Sequence, residues 1–311
     1  MQKKYSHYGR FTLNGILFLS ICFTLDLTIG KILQHFYFTS KTGVNFETRY
    51  SMDSTNADII ILGSSRASHH YIPQLIQDSI GMSCYNTGRD GNYLFYSYSI
   101  FKSITKRYTP KIIVLDINPD ELGFNQKYYD GLSTLLPYYK TKPELQRIIN
   151  LKSCFERIKL QSSIYPFNST LLELFKANLN ANSEVTKALK GYIPLYGSSI
   201  NKSKIGKVEN EVVSARIDTN KIAVLTDLAK ECNKLGVKLL VFNSPRYSNA
   251  INVKAEKYIA DIMKSNRADF TNYGHDNYFL TNPDLFKDAS HLNNNGAIVF
   301  TNLVIDRILN R

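Results

Sequence analysis

The chain has 311 residues, 43% of them hydrophobic and 21% charged, with a formal net charge of +12. This length holds one large α/β domain or two smaller ones, and the composition excludes a largely disordered chain. The bases are scattered singly, so no nucleic-acid-binding stripe is indicated; a soluble surface, or attraction to anionic envelope polymers and lipid head groups, accounts for the charge.

At the N-terminus, Lys3, Lys4 and Arg10 precede a mostly apolar run from Phe11 to about Leu33, close to the length that crosses a bilayer. Asp26 interrupts this run at an energetic cost that Lys31, or a position near one interface, would soften. No small-x-small cleavage site follows, which favours an uncleaved signal anchor over residues 1–40 against a cleaved leader or a buried amphipathic helix. The basic leading segment predicts a single-pass membrane protein with a cytoplasmic N-terminus and an extracytoplasmic domain over 41–311.

From residue 57 onward, apolar runs alternate with helical patterns. The strand-like runs cover 57–63 (ADIIILG), 83–88, 111–119, 238–245 and, more weakly, 269–274. The helical stretches cover 73–80, 92–108, 220–236, 252–266 and 294–309. Short β-branched runs without alternation suit strands covered on both faces, so the pattern predicts an α/β fold with a three-layer, doubly wound parallel sheet. Residues 120–219 break the alternation, with helices expected near 143–160 and 168–190, and are read as an inserted helical cap. Tyr128, Tyr129, Tyr138, Tyr139, Tyr192 and Tyr196 in or beside those loops either stack on sugar rings or pack internally.

Ligands bind beyond the carboxyl ends of the strands in such sheets, so the residues following each run are the ones to inspect. Ser64 and Ser65 follow the first, Asn86 to Gly91 the second, and Asp116 to Asp120 the third; Asp288 and His291 stand just before the last helix. A serine hydroxyl needs a general base, and the base needs a partner that fixes its tautomer. Ser65 as nucleophile, His291 as acid and base, and Asp288 as orienter satisfy that requirement, with Ser64 as the alternative nucleophile. The backbone N–H groups of Ser65 and Gly88 and the side-chain amide of Asn118 are the candidate oxyanion donors.

Arg66, His69 and His70 suit a solvated helix start, while Arg66 and Arg246 are also candidate contacts for an anionic substrate. Asp116 reads as strand-end polar structure, and one of Asn293, Asn294 and Asn295 as the cap of the last helix. Cys22, Cys84, Cys154 and Cys232 are widely spaced, and neither they nor the histidines form a metal-ligand pattern, so no metal and no cofactor are expected. A second Gly-Ser-Ser at 197–199 follows no strand-like run, so the tripeptide alone decides nothing.

The blocks Gly63-Ser64-Ser65, Gly88, Asn118 and Asp288-Ala289-Ser290-His291 resemble those of the SGNH (GDSL-like) hydrolase superfamily. Two departures stand out: Ser64 replaces the usual aspartate, and the third block reads Asp-Ile-Asn-Pro-Asp rather than Gly-x-Asn-Asp. The Gly-Ser-Ser form looks like that of the membrane-anchored branch that includes the D-alanyl-lipoteichoic acid transfer protein and polysaccharide O-acetylation proteins. The resemblance implies a flavodoxin-like SGNH fold. It also implies ester hydrolysis or O-acyl transfer on an envelope polysaccharide or other acylated glycan, beside a multi-pass membrane acyltransferase. A catalytically silent glycan-binding or accessory partner of such an acyltransferase is the alternative.

Overall fold

In the computed structural model, which describes residues 2–179, 189–200, 216–248 and 251–310, five strands form one parallel sheet. They are β1 (Ile59–Leu62), β2 (Cys84–Asn86), β3 (Ile112–Asp116), β4 (Lys238–Asn243) and β5 (Asp269–Asn272), in the order β2-β1-β3-β4-β5. This is the flavodoxin-type order, whose winding reverses between β1 and β3 and opens a crevice at their carboxyl ends. The register pairs Ile61 with Val114 and Leu62 with Leu115, so Gly63 and the serines leave β1 beside Asp116 at the end of β3.

Side chains alternate across each strand, and both faces are covered. Ile60, Leu62, Ile113, Leu115, Leu239 and Val241 join one apolar layer with α5 (Leu94–Thr105), α10 (Thr219–Leu235) and α11 (Val253–Ser265). Ile59, Ile61, Ile112, Val114, Leu240 and Phe242 join the other, against α3 (Ser65–His70), α4 (Pro73–Ile80) and α13 (Asn294–Leu309). This double burial is why the strand sequences lack a polar face. The Asn293 side chain caps α13 by accepting the Gly296 N–H at 3.1 Å, and α4 starts on Pro73, whose missing N–H costs nothing at a first helical position.

The segment after β3 is more broken than its sequence suggests. In place of one helix over 143–160, it forms short turns that include α7 (Gln146–Ile149) and α8 (Glu156–Lys159), after α6 (Gln126–Asp130) and before α9 (Leu171–Leu179). Pro143 and the Ser153 and Cys154 stretch divide the pattern. Residues 180–188 and 201–215, where the rest of the expected cap falls, lie outside the described residues. Tyr129 and Tyr138 are buried in the core, Tyr192 is buried with its hydroxyl donating to Asn294 Oδ1 at 2.9 Å, and Tyr196 is exposed.

A single helix, α1 (Gln2–Thr39), covers the N-terminal segment, and its part from His7 to Thr39 is long and apolar enough to cross a membrane. A helix not foreseen, α2 (Gly43–Asp53), links it to the domain and packs on α5. A four-residue helix, α12 (Asn277–Leu280), precedes the loop that carries Asp288 and His291.

Candidate active site

Ser65 is the first residue of α3, so the backbone turns from β1 into a helix at the point where its hydroxyl is presented. From the far end of the chain, the loop between α12 and α13 brings His291 against it. Ser65 Oγ and His291 Nε2 are 2.8 Å apart, and His291 Nδ1 lies 3.0 and 3.1 Å from the two oxygens of Asp288. A carboxylate only accepts, so the Nδ1 proton points at Asp288 and Nε2 is free to accept the serine hydroxyl.

Asp288 also accepts the N–H groups of Ser290 at 2.8 Å and His291 at 3.0 Å, closing a tight turn around the imidazole. Burial raises the Asp288 pKa, but the Ser290 N–H and the bonds and charge of His291 outweigh it and hold the carboxyl below its ordinary range. The second Gly-Ser-Ser supports this loop: Ser199 donates to the Lys287 carbonyl through both its N–H (2.7 Å) and its Oγ (2.6 Å).

Arg66, expected at a solvated surface or against substrate, is instead 5% exposed. Its Nη1 donates to Asn243 Oδ1 at 3.0 Å and the Ser244 carbonyl at 3.1 Å, and its Nε stands 3.5 Å from Asp116. A desolvated guanidinium is stable only when paired, and here it ties α3 to the ends of β3 and β4. Arg246 is likewise engaged, with Nη1 2.7 Å from Asp120. Both arginines thus make pairings within the fold.

The Gly88 N–H donates to Asn86 Oδ1 at 2.9 Å. The glycine is required by packing, because a Cβ there would meet the Ser68 nitrogen at 2.5 Å and Ala67 Cβ at 2.8 Å. The Asn118 side-chain oxygen accepts the Asp120 N–H at 3.1 Å and caps the turn Pro119–Leu122, while Glu121 accepts the Asn118 N–H. That cap holds the Asn118 side chain through its oxygen. The Ser65 N–H, at the start of α3, has no intrahelical acceptor because it belongs to the first turn.

His69 and His70, also expected on a solvated surface, are both buried and in different states. His70 Nε2 accepts the Leu292 N–H at 3.0 Å, which places its proton on Nδ1, 2.9 Å from Ser244 Oγ. Ser244 donates onward through Oγ and N–H to the two oxygens of Asp116, each at 3.0 Å. Burial, followed by the charge of Arg66 and the neighbouring histidines, pushes the His70 pKa well below its ordinary value, so it is neutral.

His69 Nδ1 faces the Ile193 carbonyl at 2.7 Å, and Nε2 faces Asp90 Oδ2 at 3.3 Å. Both partners are acceptors, so the imidazolium satisfies both bonds. Burial opposes that charge, but the Asp90 bond, the Ile193 carbonyl and the charges of Asp90 and Asp288 outweigh it and raise the pKa. Ser68 Oγ donates to the other Asp90 oxygen at 2.7 Å. The His69 and His291 rings meet edge to face, with centroids 5.4 Å apart. A His-Asp pair therefore flanks the serine, histidine and aspartate. Its signal in the sequence was the histidine pair at 69–70, which lacked any mark of its distant acceptors.

No family model matches the chain, and no curated protein matches it in sequence. Among solved structures, it is similar to a Bacteroides fragilis protein described as a "putative acylhydrolase", with a TM-score of 0.41 and 10% identity, over 86% of this chain and 99% of the other.

Proposed function

We propose that this protein is a serine esterase or O-acyltransferase that works through an acyl-Ser65 intermediate. The observation that carries the reading is the hydrogen-bonded series Ser65 Oγ, His291 Nε2, His291 Nδ1 and Asp288, assembled from residues more than 220 positions apart (|i−j| = 226). Ser65 Oγ attacks the ester carbonyl as its proton passes to His291 Nε2. Collapse of the tetrahedral intermediate expels the alcohol, which takes that proton from His291, and leaves the acyl group on Ser65. Water or an acceptor hydroxyl then gives its proton to His291 and attacks the acyl-enzyme, and the second tetrahedral intermediate collapses with release of Ser65 Oγ, which takes that proton back from His291. Asp288, held ionised, orients the imidazole and stabilises its cation. The Ser65 N–H supplies one oxyanion donor.

The sequence resemblance extends the reading to a membrane-anchored SGNH-type enzyme acting on acyl groups of an envelope polysaccharide, with a multi-pass acyltransferase as donor-side partner. α1 would be its single-pass anchor, with the catalytic domain on the extracytoplasmic side. A second reading, a non-catalytic glycan-binding partner, draws support from the engagement of Gly88 N–H with Asn86 and of the Asn118 side chain in a cap.

A fluorophosphonate probe separates the two. The intact protein is expected to label, and Ser65→Ala to lose the label while keeping its unfolding midpoint. An unlabelled intact protein, or equal labelling of Ser65→Ala, would remove Ser65 as the nucleophile.

A further inference from the structure

The residues of α1 from His7 to Leu25 are exposed, and contact with the domain starts at Asp26. There, Asp26 accepts from Ser162 Oγ at 2.5 Å, the Ser163 N–H at 2.6 Å and the Ile164 N–H at 3.3 Å. One turn further on, Gly30 packs so tightly that a Cβ would lie 2.3 Å from Ser163 Cβ. The turn Ser162–Ile164 is thereby fixed at one height on α1.

That height is set against the bilayer by charge. Between Arg10 and Lys31, both exposed, α1 spans about 30 Å, which is the thickness of the hydrocarbon core. Asp26 stands about 7 Å below Lys31 along the axis. With Arg10 and Lys31 at the two boundaries, the turn that binds Asp26 reaches below the head-group plane, and the chain around it must suit that layer.

The preceding turn does. Gln161 N–H bonds the Ile158 carbonyl at 3.0 Å and Ser162 N–H the Lys159 carbonyl at 3.1 Å, so α8 runs directly into the Asp26 contact. In α8 the usual pattern is reversed. Glu156 is fully buried against Tyr165, Lys152 and Lys159, whereas Phe155 is 60% and Ile158 69% exposed. The pair stands beside the exposed Arg157, while Lys31 and Lys140 line the adjoining groove between α1 and the domain.

We propose that Phe155 and Ile158 insert into the head-group layer of the bilayer that α1 crosses, with Arg157, Lys31 and Lys140 on its anionic lipids. The proposal rests on α1 spanning the membrane. It makes the domain lie on the bilayer at a fixed tilt rather than swing on a tether. Shallow insertion of an apolar face with flanking bases is the general mode of interfacial binding.

The exposed cysteines Cys22, in the spanning part of α1, and Cys154, beside Phe155, allow a direct test. The full chain, labelled with an environment-sensitive fluorophore at Cys154 (with Cys22→Ser) or at Cys22 (with Cys154→Ser), is reconstituted in phosphatidylcholine–phosphatidylglycerol vesicles carrying nitroxide-labelled lipids. Quenching is expected at both positions, with loss at Cys154 alone in the double variant Phe155→Asp, Ile158→Asp. Quenching at Cys22 without quenching at Cys154 would overturn the contact and leave the anchor standing. Absence at both would overturn the two together. Quenching at Cys154 that survives the double variant would reduce it to proximity from tethering and overturn insertion.

Discussion

His70 Nε2 accepts the backbone N–H of Leu292 at 3.0 Å, so a fully buried imidazole on α3 holds the residue next to His291. The helix that presents Ser65 thus also fixes the loop that presents its base. The bond continues through Ser244 to Asp116, which is paired with Arg66 of the same helix.

Replacing His70 by leucine keeps much of the volume but leaves the Leu292 N–H and the Ser244 hydroxyl without their partner. Unfolding in urea is expected to show a loss of at least about 1–3 kcal/mol, the cost of an unsatisfied buried polar group. Fluorophosphonate labelling of Ser65 should slow in the same variant, because His291 is no longer held. Unchanged stability and labelling would show that the Leu292 bond contributes to neither.

Asp288→Asn removes the charge, and one of the two acceptor oxygens, that keep the His291 proton on Nδ1. Hydrolysis of a small activated ester is expected to drop by about 10²-fold or more in kcat with little change in KM, as for other orienting aspartates. The drop should be smaller than for Ser65→Ala, since Asp288 is partly exposed (46%) and water can take part of its place.

Gly88→Ala tests the packing at that residue. Its Cβ would collide with the Ser68 nitrogen and Ala67, displacing α3, at a cost of about 1–3 kcal/mol typical of overpacking. Ser65 labelling is expected to slow in parallel with the loss of stability. A variant with full stability but lost activity would instead favour an oxyanion role for this position.

The two buried histidines give opposite pH responses. His69 is held above its ordinary value, so its stabilisation is complete below about pH 6.5 and is lost as pH rises through the raised value. His70 is held well below, so the unfolded chain takes up a proton that the fold refuses, and stability falls as pH drops through about 6.5. His69→Gln is therefore expected to lower the urea midpoint more at about pH 6 than at about pH 8. An equal loss at both would show that the His69 charge contributes nothing.

The sequence by itself determined the elements whose burial is continuous or periodic. The runs IIIL and IIVLD, Pro73 to Ile80 and the apolar stripe of 294–309 fall where their patterns place them, because each has only one way to bury its apolar side chains. Ser65, Asp288 and His291 were also legible, since strand-end and helix-start positions in a parallel sheet converge on one edge. What only the tertiary structure decided was the state of the polar residues beside them. Arg66, His69, His70, Gly88 and Asn118 have partners at Asn243, Asp90, Leu292, Asn86 and Asp120. The partners of Gly88 and Asn118 lie two residues away, but those of the other three lie 21 to 222 residues away. Charge and hydrogen-bonding capacity are read from one residue, whereas burial and pairing are properties of two segments brought together. Asp26 shows the same division: an isolated acid in an apolar run is a cost in the sequence, and becomes a docking point once Ser162, Ser163 and Ile164 surround it with donors.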